Sequence, residues 1–165
     1  MWNKIENYFK NYPKRKKIAK KLLEYGLKIK ENKIYCDVIE LSDSKIARSF
    51  NVDRRSINAT IEIINRNKFL KNIFSKLQPT CHLKEVASNF NWGVLEIIPT
   101  DPSKSGILAN VAKIISEENI SIRQAIVDDF ELSDEPRLYI ITEQNVPSNI
   151  IPKIKNVKGI KSIII

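Results

Sequence analysis

Helical spacing organises the first half of the chain. Between Lys14 and Tyr25, the apolar residues Ile18, Leu22, Leu23 and Tyr25 recur with that period, while Lys16, Lys17, Lys20 and Lys21 fill the remaining surface. A basic amphipathic helix is predicted from Pro13 onward, ended by Gly26. Two shorter periodic runs lie within Leu41 to Ile64. Ile46, Ala47 and Phe50 form the inner face of a first helix that Ser42 or Asp43 can cap. Ile57, Ile61 and Ile64 form the inward stripe of a second helix, capped by Asp53. Between them, Asn51 falls where the turn requires a left-handed backbone, which asparagine tolerates, and Val52 plugs the turn. Phe69, Leu70, Ile73, Phe74 and Leu77 predict a further helix running to Pro79, and Leu83, Val86, Ala87 and Phe90 the inner side of a short one.

The second half changes period. Trp92 to Ile98 is a run of strand formers closed by the turn cluster Pro99-Thr100-Asp101-Pro102. After Gly106, the residues Ile107, Leu108, Val111, Ile114 and Ile115 give one face of a helix through Glu118. Strands are predicted over Ile120–Val127, Leu138–Thr142 and Ile160–Ile165, with a second helix marked by Ile150, Ile151, Ile154 and Val157. Pro152 requires that helix to begin near Asn149, so that the missing N–H falls in the first turn. The order β-α-β-β-α-β predicts an antiparallel four-stranded sheet with both helices on one face. Val94, Ile98, Tyr139 and Ile141 fall on the other face, and their apolar character predicts homodimerisation through this half.

Charge separates the halves more sharply than hydropathy does. Residues 1–77 carry 19 Lys and Arg against 8 Asp and Glu, a net +11, whereas residues 78–165 carry 9 against 11, a net −2. A polyanionic partner is implied for the first half only. The fold class expected is α+β: a helical helix-turn-helix domain over residues 1–77, a connecting segment over 78–91, and a βαββαβ ferredoxin-like domain over 92–165. The composition, 42% hydrophobic and 28% charged with four glycines, is that of a globular chain. The longest apolar runs fall far short of the roughly 20 residues of a membrane span. With no signal peptide at Met1 to Glu6 and only two isolated cysteines, Cys36 and Cys81, a cytoplasmic location with both as thiols is expected.

These features converge on double-stranded DNA. On the second helix of the pair, Arg55, Asn58, Ala59, Glu62 and Arg66 point away from the inner stripe, flanked by Arg54 and Ser56. Arginine can bond guanine bidentately and asparagine can read adenine in the major groove, while Lys45, Arg48 and the basic first helix suit phosphate. The DNA-binding set expected is therefore Lys45, Arg48, Arg54, Arg55, Ser56, Asn58 and Arg66. Thr60 is more polar than the usual residue at its helical position. No metal site or cofactor is expected, since the single histidine, His82, has only the adjacent Cys81 and no further ligand at zinc spacing. Catalytic residues are not expected either, because no acid–base or nucleophile constellation is present.

Val52-Asp53-Arg54-Arg55, Gly93-Val94-Leu95-Glu96-Ile97, Gly106-Ile107, Ile122-Arg123-Gln124 and Tyr139-Ile140-Ile141-Thr142-Glu143 together resemble a family of archaeal regulators of amino-acid metabolism. That family joins a helix-turn-helix to a C-terminal ACT domain. The resemblance implies an amino-acid effector, bound near Asp101, Ser105, Gly106, Ile107, Asn119 and Ile120. One departure is visible. The ACT loop ordinarily places its aspartate two or three residues before the glycine, whereas Pro102 to Ser105 separate Asp101 from Gly106 here. The leucine-responsive regulators share the domain order, but their typical N-terminal pattern is not matched. A different class, a regulatory ACT-type subunit docking on an amino-acid biosynthetic enzyme, would leave the +11 of the first half without a purpose.

Overall fold

The computed structural model describes residues 1–165 and divides into two compact units, Met1–Cys81 and His82–Ile165. In the first unit, α1 (Trp2–Ile5) and a 3-10 turn over Glu6–Phe9 bury Trp2, Ile5 and Phe9. Helix α2 (Pro13–Glu24) starts with proline in its first turn and buries Ile18, Ala19, Leu22 and Leu23. Tyr25, expected on the inner face, is instead exposed beyond the helix end and stacks on Phe50 at a centroid distance of 6.1 Å. Gly26 follows at φ +62°, and an added Cβ there would lie 2.3 Å from the Gln78 carbonyl oxygen. Both the backbone angle and the close approach exclude a larger residue.

The first unit is not all helical, contrary to the expectation. Residues 28–41 form an antiparallel meander of β1 (Lys28–Lys30), β2 (Lys33–Cys36) and β3 (Ile39–Leu41), in that spatial order. Glu31 and Asn32 make its first turn with φ of 50° and 63°, a conformation suited to tight hairpins. Strands β1 and β3 alternate charged and apolar positions, β2 reads Lys-Ile-Tyr-Cys, and only Ile29 and Ile34 are fully inside. Helices α3 (Asp43–Phe50), α4 (Arg54–Arg66) and α5 (Lys68–Phe74) complete the unit. Asn67 caps α5 by accepting from the Leu70 N–H, which separates it from α4. The helix predicted to reach Pro79 closes at Ser75, four residues earlier. The interior gathers Ile18, Leu22, Ile34, Ile57, Ile64, Leu70 and Phe74.

In the second unit, β4 (Gly93–Pro99), α6 (Ile107–Glu117), β5 (Ile122–Val127), β6 (Leu138–Thr142), α7 (Ile151–Lys155) and β7 (Ile160–Ile164) follow the expected β-α-β-β-α-β order. The sheet is antiparallel throughout, in the order β5-β6-β4-β7. A 3-10 turn over Ser148–Ile150 leads into α7, so Pro152 sits in its first turn. Leu95, Ile97, Val111, Ile115, Ile140, Ile150 and Ile154 pack between the sheet and the helices. Leu108, expected inward, is exposed on α6.

The opposite face of the sheet is not bare. Residues 82–91, expected to be a connecting segment, belong to this unit and run across that face as a 3-10 helix over Lys84–Phe90. Only Ala87 of its four expected inner residues is fully buried, while Val86 and Phe90 are exposed. Polar contacts do the docking: the Leu83 N–H donates to Gln124 Oε1 at 2.9 Å, and the His82 ring meets Tyr139 edge-on at 4.8 Å. Lys84 Nζ lies 2.7 Å from Glu96. Ile141, which would otherwise face solvent, is fully buried. The apolar surface from which homodimerisation was expected is therefore partly occupied by the chain's own segment. No helix is long and apolar enough to cross a membrane.

Candidate nucleic-acid interface and small-molecule cavity

The α3–α4 pair is built by local chemistry. Asn51 ends α3 in the left-handed region (φ 54°, ψ 54°), and its N–H and that of Val52 return to the carbonyls of Arg48 and Ala47. Ala47 is 5% exposed, and Ile46 and Phe50 are buried with it. Asp53 then caps α4: its Oδ1 accepts the Ser56 N–H at 2.8 Å and its Oδ2 accepts the Ser56 hydroxyl at 2.8 Å. Those two bonds, with the charge of Lys14, hold the Asp53 carboxyl below its ordinary value. Thr60 is fully buried and donates to the Ser56 carbonyl at 2.7 Å, which explains how a hydroxyl is tolerated on the inner face of α4.

Of the residues expected to meet DNA, Lys45, Arg48, Arg54, Arg55, Asn58 and Arg66 are all exposed. Lys45 and Arg48 sit three apart on one side of α3, and Arg54 and Arg55 open α4. Ser56 is half-buried with its hydroxyl committed to the cap, so its part is to set the helix start. Asn58 lines a shallow cleft with Asn32, Asp43, Ile61 and Glu62, so two carboxylates share that cleft with it. Arg66 lies about 18 Å along the axis from Arg54, at roughly 1.5 Å per residue. Its guanidinium is 3.4 Å from Glu62, one turn back.

Two neighbours of α4 come from elsewhere in the unit, the first expected only as part of a basic helix and the second not expected at all. Lys14, at the start of α2, lies 3.7 Å from Asp53, so the basic end of α2 stands beside the beginning of α4. Its signal was the lysine run itself, which gives no direction. Asn32, in the β1–β2 turn, accepts from the Asn65 side chain at 2.7 Å and ties the meander to α4. Nothing in the sequence links residues so far apart.

In the second unit, the residues of the expected effector set part company. A cavity of about 210 Å³ is lined by Ser105, Gly106 and Ile107 together with Ile97, Val127 and Arg137. Gly106 has φ +96° and precedes the first turn of α6. Asp101 is outside the lining: its Oδ1 accepts the Ser103 hydroxyl at 2.6 Å and the Ser103 N–H at 3.0 Å, closing the longer loop on itself. The same bonds hold its carboxyl below the ordinary value. Asn119 and Ile120 follow the far end of α6 and do not reach the cavity. Arg137, on the cavity wall, is engaged by Glu96 at 2.7 Å and Glu135 at 3.2 Å, which leaves Lys104 as the lining cation without such a pair.

No protein-family model and no curated protein matches the sequence. Among solved structures, the chain is similar to an AsnC family transcriptional regulator from Agrobacterium tumefaciens, at 12% identity and a TM-score of 0.30, over 92% of this chain and 85% of that one.

Proposed function

We propose that this chain is a transcriptional regulator, with a helix-turn-helix in its first unit that binds double-stranded DNA and a ferredoxin-like, ACT-like second unit that senses a small molecule. The observation that carries the reading is the coincidence of two independent features. The net +11 of residues 1–77 falls on the same unit in which a left-handed Asn51 and the Asp53 cap present Arg54 and Arg55 at the start of an exposed helix. Helix α4 enters the major groove by that end, Arg54 and Arg55 meet base edges or flanking phosphates, and Lys45, Arg48 and Lys14 neutralise the backbone. Around Asn58, the carboxylates of Asp43 and Glu62 repel phosphate and accept bonds from exocyclic amino groups, which favours contact with bases there.

The effector reading rests on the cavity beside Gly106. Its walls are mostly apolar, Lys104 supplies a positive charge, and the N–H groups at the start of α6 suit a carboxylate, so a small amino acid with an apolar side chain is the effector proposed. Binding alters DNA affinity only if the effector favours one arrangement of the protein over another.

Fluorescence anisotropy with a labelled duplex tests the first part. Retention at low salt that falls steeply as salt rises is expected, because phosphate contacts release counterions. A chain that retains no duplex at low salt is not a DNA-binding regulator. A thermal-shift series with the twenty amino acids tests the second, since a ligand specific for the native state raises the melting temperature. If none does so, the cavity is not an amino-acid site.

A further inference from the structure

Within the first unit, the excess positive charge does not lie on the meander or the helix-turn-helix. Residues 24–62, which span the meander, α3 and most of α4, carry seven Lys and Arg against seven Asp and Glu. Residues 1–23 carry eight against one and residues 63–77 four against none, so the whole net +11 belongs to these two flanking stretches. The one acid among them, Glu6, is paired with Lys16 at 2.5 Å. The fold brings the two stretches together: the Tyr8 ring, in the first, stacks on the Phe69 ring, in the second, at a centroid distance of 6.1 Å.

Aromatic rings are exposed where these stretches meet. Tyr8 is 42%, Tyr12 45% and Phe69 44% exposed. A tight turn, in which the Tyr12 N–H donates to the Phe9 carbonyl, links the two tyrosines, and the Arg15 guanidinium lies over the Tyr12 ring at 4.1 Å. Lys10 falls between the tyrosines in the chain and Lys68 precedes Phe69, both exposed.

Lysines alone suit any polyanion. Set among aromatic faces, they suit one whose bases are unpaired: phosphates take the cations, and each base lays a flat face on a ring or a guanidinium. A duplex presents the phosphates but keeps its base faces stacked inside, so exposed rings gain little from it. A lipid surface fits less well. Trp2, Ile5 and Phe9 of the same segment are buried, which leaves no apolar face to enter a bilayer, and two of the three exposed rings carry hydroxyls.

We infer that the first unit carries a second nucleic-acid surface, formed by Tyr8, Tyr12 and Phe69 with Lys10, Arg15 and Lys68, and that it takes single-stranded nucleic acid. None of these residues belongs to α3 or α4, and the inference stands whether or not α4 reads a duplex.

Fluorescence anisotropy with the full-length chain tests it, using a labelled oligothymidylate and an abasic strand of the same length, which keeps the phosphates and lacks the bases. The wild type is expected to retain the oligothymidylate at low salt and to bind the abasic strand roughly tenfold more weakly, because stacking on the rings is lost. Tyr12→Ala and Phe69→Ala, both at exposed positions, are each expected to weaken the oligothymidylate by roughly tenfold while changing a mixed-sequence duplex far less. Equal binding of the two strands by the wild type overturns the inference, since charge alone then accounts for retention, and that comparison needs no variant to fold. No retention of the oligothymidylate at low salt overturns it as well, as does a parallel loss on strand and duplex in the variants. Phosphatidylserine vesicles are the remaining probe: retention of vesicles without retention of the strand assigns the surface to lipid and equally sinks the inference.

Discussion

Asp53 accepts both the backbone N–H and the hydroxyl of Ser56, so one carboxylate fixes the start of α4 with two bonds of 2.8 Å each. Replacing it with alanine removes the cap, and a fall of a few degrees in the melting temperature is expected for Asp53→Ala, with a smaller fall for Asp53→Asn, which keeps one acceptor. The pH dependence has a definite sign. Bonding to Ser56 depresses the folded-state pKa, so the contribution is fully present above the ordinary carboxylate range near pH ~4 and is lost as pH falls through the lower, folded value. The difference in melting temperature between the wild type and Asp53→Ala should therefore shrink as the solution is acidified below pH ~4. A constant difference would show that the cap acts through packing instead of ionisation.

Glu96 is 6% exposed and lies between Lys84 and Arg137, at 2.7 Å from each. The Lys84 bond, then that of Arg137, outweighs burial and holds its carboxyl below the ordinary value. Lys84 and Arg137 both keep contact with water, so loss of the carboxylate leaves neither cation fully stranded. Glu96→Gln is expected to cost about 1.5–3 kcal/mol, the scale of hydrogen bonds to charged groups, in a denaturant titration. It should also loosen residues 82–91 from the sheet, seen as faster amide exchange at Leu83, whose N–H bonds Gln124.

How much of this was legible from the sequence depended on length and on burial. Helices α2, α3, α4 and α6 each bury three or more apolar residues at one period, and their positions followed from that spacing. The meander was not legible because its strands are three or four residues long and bury one side chain or none, too little for a period to emerge. The segment over 82–91 was misread for a different reason. It docks through Lys84, Leu83 N–H and His82, polar contacts that a search for an apolar stripe passes over. At the sites, exposure of Arg54 and Arg55 could be read from the helical angle. The commitment of Ser56 to its cap and of Asp101 to Ser103 could not, since both depend on which acceptor a short side chain finds nearby.

Asn51 supplies a backbone test of the turn. At φ 54° it occupies a region that costs an ordinary L-residue about 1–2 kcal/mol. Asn51→Ala is expected to lose about 1 kcal/mol in a denaturant titration, whereas Asn51→Gly should hold or slightly raise stability. Equal losses for both variants would place the role of Asn51 in its side chain.

The DNA-binding reading divides its own residues into two kinds, and salt titration separates them. Arg55 opens α4 on the same side as Asn58 and Glu62, and Lys45 and Arg48 stand on α3; under the proposed function the first would meet a base edge and the other two only the backbone. Lys45→Ala and Arg48→Ala are expected to weaken binding about equally for every duplex and to reduce the slope of log affinity against log salt by about one each. Arg55→Ala is expected to cost about 1–3 kcal/mol on a preferred duplex and much less on a random one, flattening discrimination between them. Arg66, held to Glu62 about three turns along the helix, should matter least of the arginines on α4. Anisotropy titrations of the four variants at several salt concentrations, against a duplex selected from a random pool, measure both quantities together. If Arg55→Ala and Lys45→Ala lose affinity in the same proportion on all sequences, α4 lies along the backbone and does not read the groove.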